Sequence, residues 1–117
     1  MRRDAEAFLV DVLDAADAIV RYLGDRDQAA YLSDDMLRAA VERRFTIVGE
    51  ALNRLLRHYP DLAGTIPELG KAVAFRNILV HGYAEVDDGI VWLTIKEHLP
   101  GLRERVALLL ADLEQRR

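Results

Sequence analysis

The chain has 117 residues, 51% hydrophobic and 31% charged, with a formal net charge of -4 and no cysteine. This length fits a single domain, residues 1–117, with room for a real core. The composition excludes an intrinsically disordered chain, and the lack of cysteine excludes disulfides and thiolate chemistry. The longest purely apolar run, Val106–Ala111, is far too short to span a bilayer. The start, Met1-Arg2-Arg3-Asp4, turns acidic at once and lacks a signal-peptide core, so the expectation is a soluble cytoplasmic protein with no membrane part. The acidic balance speaks against strong sequence-independent binding to nucleic acid, which needs many phosphate contacts. The cations are lopsided, 14 Arg against 2 Lys. Arg suits bidentate phosphate recognition, but a GC-rich genome produces the same bias, so the bias alone decides nothing.

In chain order the pattern is helical throughout. Phe8, Leu9, Val12, Leu13, Ala16, Ile19, Val20 and Leu23 recur at helical spacing, and Gly24 ends this first helix. A second helix is expected to start near Ser33 as N-cap, with Asp34 and Asp35 in its first turn. Its stripe is Leu37, Val41, Val48, Ala51, Leu52, Leu55 and Tyr59, and Pro60 stops it. At roughly 24–26 residues it reads as the spine of a bundle. A third helix is expected from near Pro67 to His81, with Gly82 as its C-terminal stop. Asp87 or Asp88 caps a fourth, carrying Ile90, Trp92, Ile95 and Leu99, before Pro100 breaks or kinks the chain. The last helix carries Leu102, Val106, Leu109, Leu110 and Leu113. The short connections predict an all-α, up-and-down antiparallel bundle of four to five helices.

The chemistry concentrates in Arg76-Asn77-Ile78-Leu79-Val80-His81-Gly82-Tyr83. Successive helical residues rotate by about 100°. Ala72, Phe75 and Leu79 therefore share one face, the expected core face, while Asn77 and His81 share the opposite one. Arg76 points between them, away from His81. A straight helix does not aim Arg76 and His81 at one point; either the long Arg bends round or a second copy of the chain completes the site. Val73 and Val80 form another apolar strip that a partner could cover. Arg stabilises the charge that builds on a phosphoryl group in the transition state. His titrates near neutral pH and can move the proton of an attacking hydroxyl or a leaving oxygen. RNA carries its own nucleophile, the 2′-hydroxyl, so this chemistry needs no metal. By spacing alone, surface residues, or a His81 favoured by the helix macrodipole, explain the pattern as well.

The segment Phe75 to Tyr83 resembles the R-N-x-x-x-H signature of the HEPN superfamily, and its R-x4-H-x-Y form resembles the HepT toxins. Val48-Gly49-Glu50-Ala51, Asp87-Asp88-Gly89-Ile90-Val91-Trp92 and Leu99-Pro100-Gly101-Leu102 resemble further stretches of that family, in the same order. The chain departs from it at Leu69 and Gly70, where the family often has Trp and Arg. The resemblance implies a HEPN-like bundle and a metal-independent, cofactor-free ribonuclease with Arg76, Asn77 and His81 at its catalytic site. It implies a homodimer whose two motifs meet in an interface cleft. It also implies the toxin role in a type VII toxin–antitoxin system, paired with an MNT-type nucleotidyltransferase that transfers AMP to the motif tyrosine, here Tyr83. That tyrosine lies just past the Gly82 stop. AMP attached there adds bulk and negative charge, which would repel RNA and could capture Arg76.

Glu50 has two readings. It forms a helical pair with Arg54, worth a few tenths of a kcal/mol, or, as the resemblance favours, it supports the site by orienting Arg76 or His81. Arg43, Arg44, Arg54, Arg57 and His58 read first as a solvated face and second as a basic flank for RNA. His98 reads as structural and Trp92 as core. Three scattered His without Cys give no metal spacing. Two competing functions remain: a non-catalytic HEPN module that binds a nucleotide or a partner, and a plain dimerisation bundle.

Overall fold

Helix α1 (Arg2–Leu23) ends where Gly24 takes φ of +54°, a left-handed turn that costs glycine little. The Arg26 guanidinium caps that end, donating to the carbonyls of Tyr22 (3.0 Å) and Leu23 (3.3 Å). The structure, a computed structural model, describes residues 2–82 and 86–116. Most of these residues are helical, with no strand among them.

A short helix the periodicity did not predict, α2 (Gln28–Leu32), follows with Asp27 as its N-cap. Ser33 is the C-cap of α2 and not the N-cap of the long helix. Asp34 takes that role for α3 (Asp35–His58), its carboxylate accepting from Leu37 N at 3.0 Å. At 24 residues α3 has the expected length. Pro60 follows its end and opens the single turn α4 (Pro60–Ala63).

Helix α5 (Leu69–His81) starts two residues later than Pro67. Gly82 ends it in ordinary right-handed geometry, φ -80°, its N–H donating to Ile78 O at 2.7 Å. Asp87 caps α6 (Asp88–Leu93), accepting from Gly89 N and Ile90 N. A π turn, Thr94–His98, joins α6 to α7 (Leu99–Gln115). Pro100 has no N–H to give, and it sits in the first turn of α7, where none is needed. The proline does not break the chain; the helix widens for one turn and resumes. Val91, Trp92, Ile95 and Leu99 are buried, while Ile90, predicted to face the core, is 55% exposed.

The core forms two adjoining clusters. The first joins Ala5, Leu9 and Val12 of α1 to Val48, Leu52 and Leu55 of α3 and to Val106 and Leu113 of α7. The second joins Ile19 and Leu23 of α1 to Leu37 and Val41 of α3, with Tyr31, Trp92 and Ile95. The start of α1 thus meets the end of α3, and α1, α3, α5 and α7 run up, down, up and down. Arg103 of α7 forks onto the Asp17 carboxylate of α1 across the antiparallel pair.

Candidate active site

Helix α5 lies against α3, and one glycine sets how close it comes. A Cβ built on Gly49 would stand 2.2 Å from Arg76 Cβ and 3.2 Å from the Ala72 carbonyl. Only a residue without a side chain admits α5 at that distance. One turn away, Phe75 meets Phe45 edge to face, with ring centroids 5.2 Å apart. Phe75 and Leu79 pack on the second core cluster and Ala72 on the first, so the predicted core face is present. Val73 also packs on the first cluster and is not an open strip for a partner. The exposed large hydrophobe on α5 is Ile78, 49% accessible.

Pressed against Gly49 at its root, Arg76 sends its guanidinium outward between two oxygens. Nη1 donates to Asn77 Oδ1 at 2.9 Å, and Nη2 reaches Glu50 Oε1 at 3.5 Å. Its Nε is buried and has no hydrogen-bond partner among the described residues. The Arg76 and Glu50 side chains are 26% and 35% exposed, so the pair is sheltered but open on one side. Asn77 and His81 are both exposed and lie one turn apart on α5. Asn77 thus ties the guanidinium to the side of Arg76 on which helical spacing also puts His81. Glu50 pairs with Arg76, and no bond to Arg54 accompanies it among the described residues. Tyr83 lies outside the described residues.

This arrangement offers a phosphate a guanidinium that is already aimed, and an accessible imidazole on the same side of the helix. Among the described residues no three His, Asp or Glu side chains gather to hold a metal ion. Gly49 is the functional residue that spacing did not identify. A glycine inside a long helix costs about 1 kcal/mol relative to alanine, and that cost was the available signal of a close approach. Leu69 is buried and Gly70 is open to solvent, with nothing within 4 Å of an added Cβ. No helix among the described residues is long and apolar enough to cross a membrane.

A family model described as Ribonuclease HepT-like matches residues 12–109. Putative RNase MJ1380 of Methanocaldococcus jannaschii is 31% identical over 108 residues, which cover 92% of this chain and 98% of that protein. Putative RNase MJ0125 of the same organism is 29% identical over 115 residues, 98% of each chain. Probable ribonuclease HepT of Thermococcus cleftensis is 30% identical over 103 residues, 88% of this chain and 93% of its own. No solved structure gives a significant match. The matched span runs from α1 into α7 and carries the whole Arg76, Asn77 and His81 constellation, and the chain belongs to the HepT-like ribonuclease family of HEPN proteins.

Proposed function

We propose that the chain is a metal-independent ribonuclease and the toxin of a type VII toxin–antitoxin pair, with Arg76 and His81 as its catalytic residues. The observation that carries the reading is the guanidinium of Arg76, held by Asn77 and Glu50 on the side of α5 where His81 is exposed. Family membership supplies the substrate class. A phosphate entering the site competes with Glu50 for Arg76. The pair is loose at 3.5 Å, and a phosphate takes two parallel N–H bonds from the fork. The RNA 2′-hydroxyl then attacks phosphorus, the bond to the 5′-oxygen breaks, and a 2′,3′-cyclic phosphate and a 5′-hydroxyl result. One imidazole accepts the proton of the 2′-hydroxyl, and an imidazolium gives one to the departing 5′-oxygen. Attack is in line, so the two oxygens lie on opposite sides of phosphorus. Two copies of the chain, each bringing its own His81, serve both sides.

Neutralisation, on this reading, comes from an MNT-type nucleotidyltransferase that places AMP on Tyr83. The support is Tyr83's place in the sequence, two residues past His81, and the resemblance of this segment to HepT. The added phosphate would offer Arg76 a permanent anionic partner.

Arg76→Ala and His81→Ala should each reduce cleavage of RNA by 100-fold or more, roughly the worth of one positioned proton-transfer or charge-stabilising group. Helical circular dichroism should be unchanged. Product ends should be 2′,3′-cyclic phosphates, formed equally well in EDTA. Loss of activity in EDTA that magnesium restores would refute the mechanism. Co-expression with the nucleotidyltransferase should add mass in units of AMP, mapped to Tyr83 and absent in Tyr83→Phe. A neutralised toxin carrying no added mass would leave tight binding as the mode of inhibition.

A further inference from the structure

The arginines of this chain divide by their partners. Arg38 pairs with Asp35 and Asp88, Arg105 with Glu68, and Arg116 with Asp112. Arg103 forks onto Asp17, and Arg44 donates to the Tyr22 hydroxyl. Arg43, Arg54 and Arg57 of α3 differ, as does the isolated Arg21 of α1: all are exposed, and among the described residues none has a hydrogen bond or an ion pair.

The three on α3 also share a line. On α3, positions 43, 50, 54 and 57 are separated by intervals of seven, four and three residues, which keeps them within about 60° of one another at 100° per residue. The row is about 21 Å long from Arg43 to Arg57 at 1.5 Å per residue. Glu50 sits inside it, and through Glu50 the row is joined to Arg76. The one carboxylate on the row is thus already engaged by a cation. Three unpaired guanidiniums leave no internal partner for an anion to displace, and surface pairs with distant acids would be weak in any case.

We propose that this outer ridge of α3 is a phosphate track for single-stranded RNA, with Arg43 on one side of the Arg76–Glu50 pair and Arg54 and Arg57 on the other. The proposal rests on reading RNA as the substrate. It resolves the conflict between a net charge of -4 and a polyanionic ligand: binding depends on a local row of charge, not on the global balance. A single row suits one strand, since a duplex presents two backbones. The track reads phosphates and not base edges, so it confers position along the strand and little sequence preference.

The test uses the full chain carrying His81→Ala, so that bound RNA stays intact, and a labelled, unstructured oligoribonucleotide of mixed sequence. Affinity is measured by fluorescence anisotropy as salt is raised. For a single strand each phosphate contact adds about 0.7 to the slope of log affinity against log salt. Arg43→Gln/Arg54→Gln/Arg57→Gln should therefore lower the slope by about 2. Between about 50 and about 200 mM salt its affinity should fall about 20-fold less than that of the parent. The triple Arg→Lys variant at the same positions should keep the slope. The charge-matched control Arg21→Gln/Arg26→Gln/Arg116→Gln should also keep it.

A Gln triple that keeps the slope overturns the track, as does a control triple that lowers it equally. An intact slope with altered sedimentation would instead make the ridge a contact between protein chains. Cleavage by the wild-type chain is scored separately. Cleavage with an unchanged slope sinks the track alone, and a lowered slope without cleavage sinks the ribonuclease reading alone.

Discussion

A hydrogen atom is all that Gly49 places against α5, and the position of Arg76 follows from that. Substituting alanine brings a methyl group to 2.2 Å from Arg76 Cβ. Neither atom is the end of a flexible side chain, so both helices must shift. Overpacking of this kind costs about 1–3 kcal/mol, against a gain of about 1 kcal/mol in helix propensity. Gly49→Ala is expected to lower stability in urea by up to about 2 kcal/mol and to depress cleavage further than that loss explains, because the guanidinium moves off its seat. Gly70→Ala is the contrasting case. Nothing lies within 4 Å of its Cβ position, so it should stabilise by about 0.5–1 kcal/mol and leave cleavage untouched. Equal stabilisation at the two glycines, with cleavage intact in both variants, would rule out the seat. The candidate residue types were legible in the sequence, because Arg, Asn and His at the end of an apolar helix call for an explanation. Their geometry was not legible. The turn of Arg76 towards the His81 face depends on Asn77 Oδ1, Glu50 and Gly49 together, and two of these lie on another helix.

At the scale of elements, punctuation was readable and subtler breaks were not. Gly24, Pro60 and Asp87 each end or begin a helix through a local mechanism, and each does so where expected. Helix α2 has five residues, too few to show a period, and only its Asp27 cap announces it. The π turn has no signature beyond the Pro100 it accommodates. Around α2, α3 and α6 the elements meet over a polar cluster with an electrostatic cost. Burial, and secondarily the charge of Asp88, raises the Glu42 carboxyl above its ordinary range, with Arg38 opposing. The buried Tyr31 hydroxyl, which has no hydrogen-bond partner among the described residues, is pushed up chiefly by burial and then by Glu42 and Asp88. For Glu42 the folded state holds its proton to higher pH than the unfolded state. Stability therefore falls as pH rises from the ordinary carboxylate range through the raised folded value, and it stays lower above it. Glu42→Gln removes that loss. It should raise the melting temperature by a few degrees at neutral pH, and the advantage should vanish below the ordinary carboxylate range, where Glu42 is protonated in both states. A Glu42→Gln advantage that is the same at both pH values would assign the effect to packing and not to charge.

The whole molecule has an unfinished side. Helix α5 is apolar around most of its circumference, yet Leu69 is its one buried residue among those described. A helix of that composition is normally enclosed, and here α3 covers only one flank. Ile78, next to Asn77 and 49% exposed, projects from the open flank. Covering this flank with a second copy would bury Ile78 and bring two Asn77–His81 faces together, as in-line displacement with two imidazoles requires. The apolar flank and the proposed catalytic face are neighbours on one helix, so association and activity should fail together. We expect the wild-type chain to sediment as a dimer at micromolar concentration. Ile78→Asp would bury a carboxylate in that contact, which is costly without a partner charge. It should give a monomer with unchanged helical circular dichroism. Each 1.4 kcal/mol of association energy lost is about tenfold in dimer affinity, so cleavage per chain should fall steeply on dilution and be partly restored at high concentration. A wild-type chain that sediments as a monomer and cleaves at a constant rate per chain down to nanomolar concentration would show that one copy holds the complete site. The guanidinium that Asn77 turns towards His81 would then suffice, with water supplying the second proton.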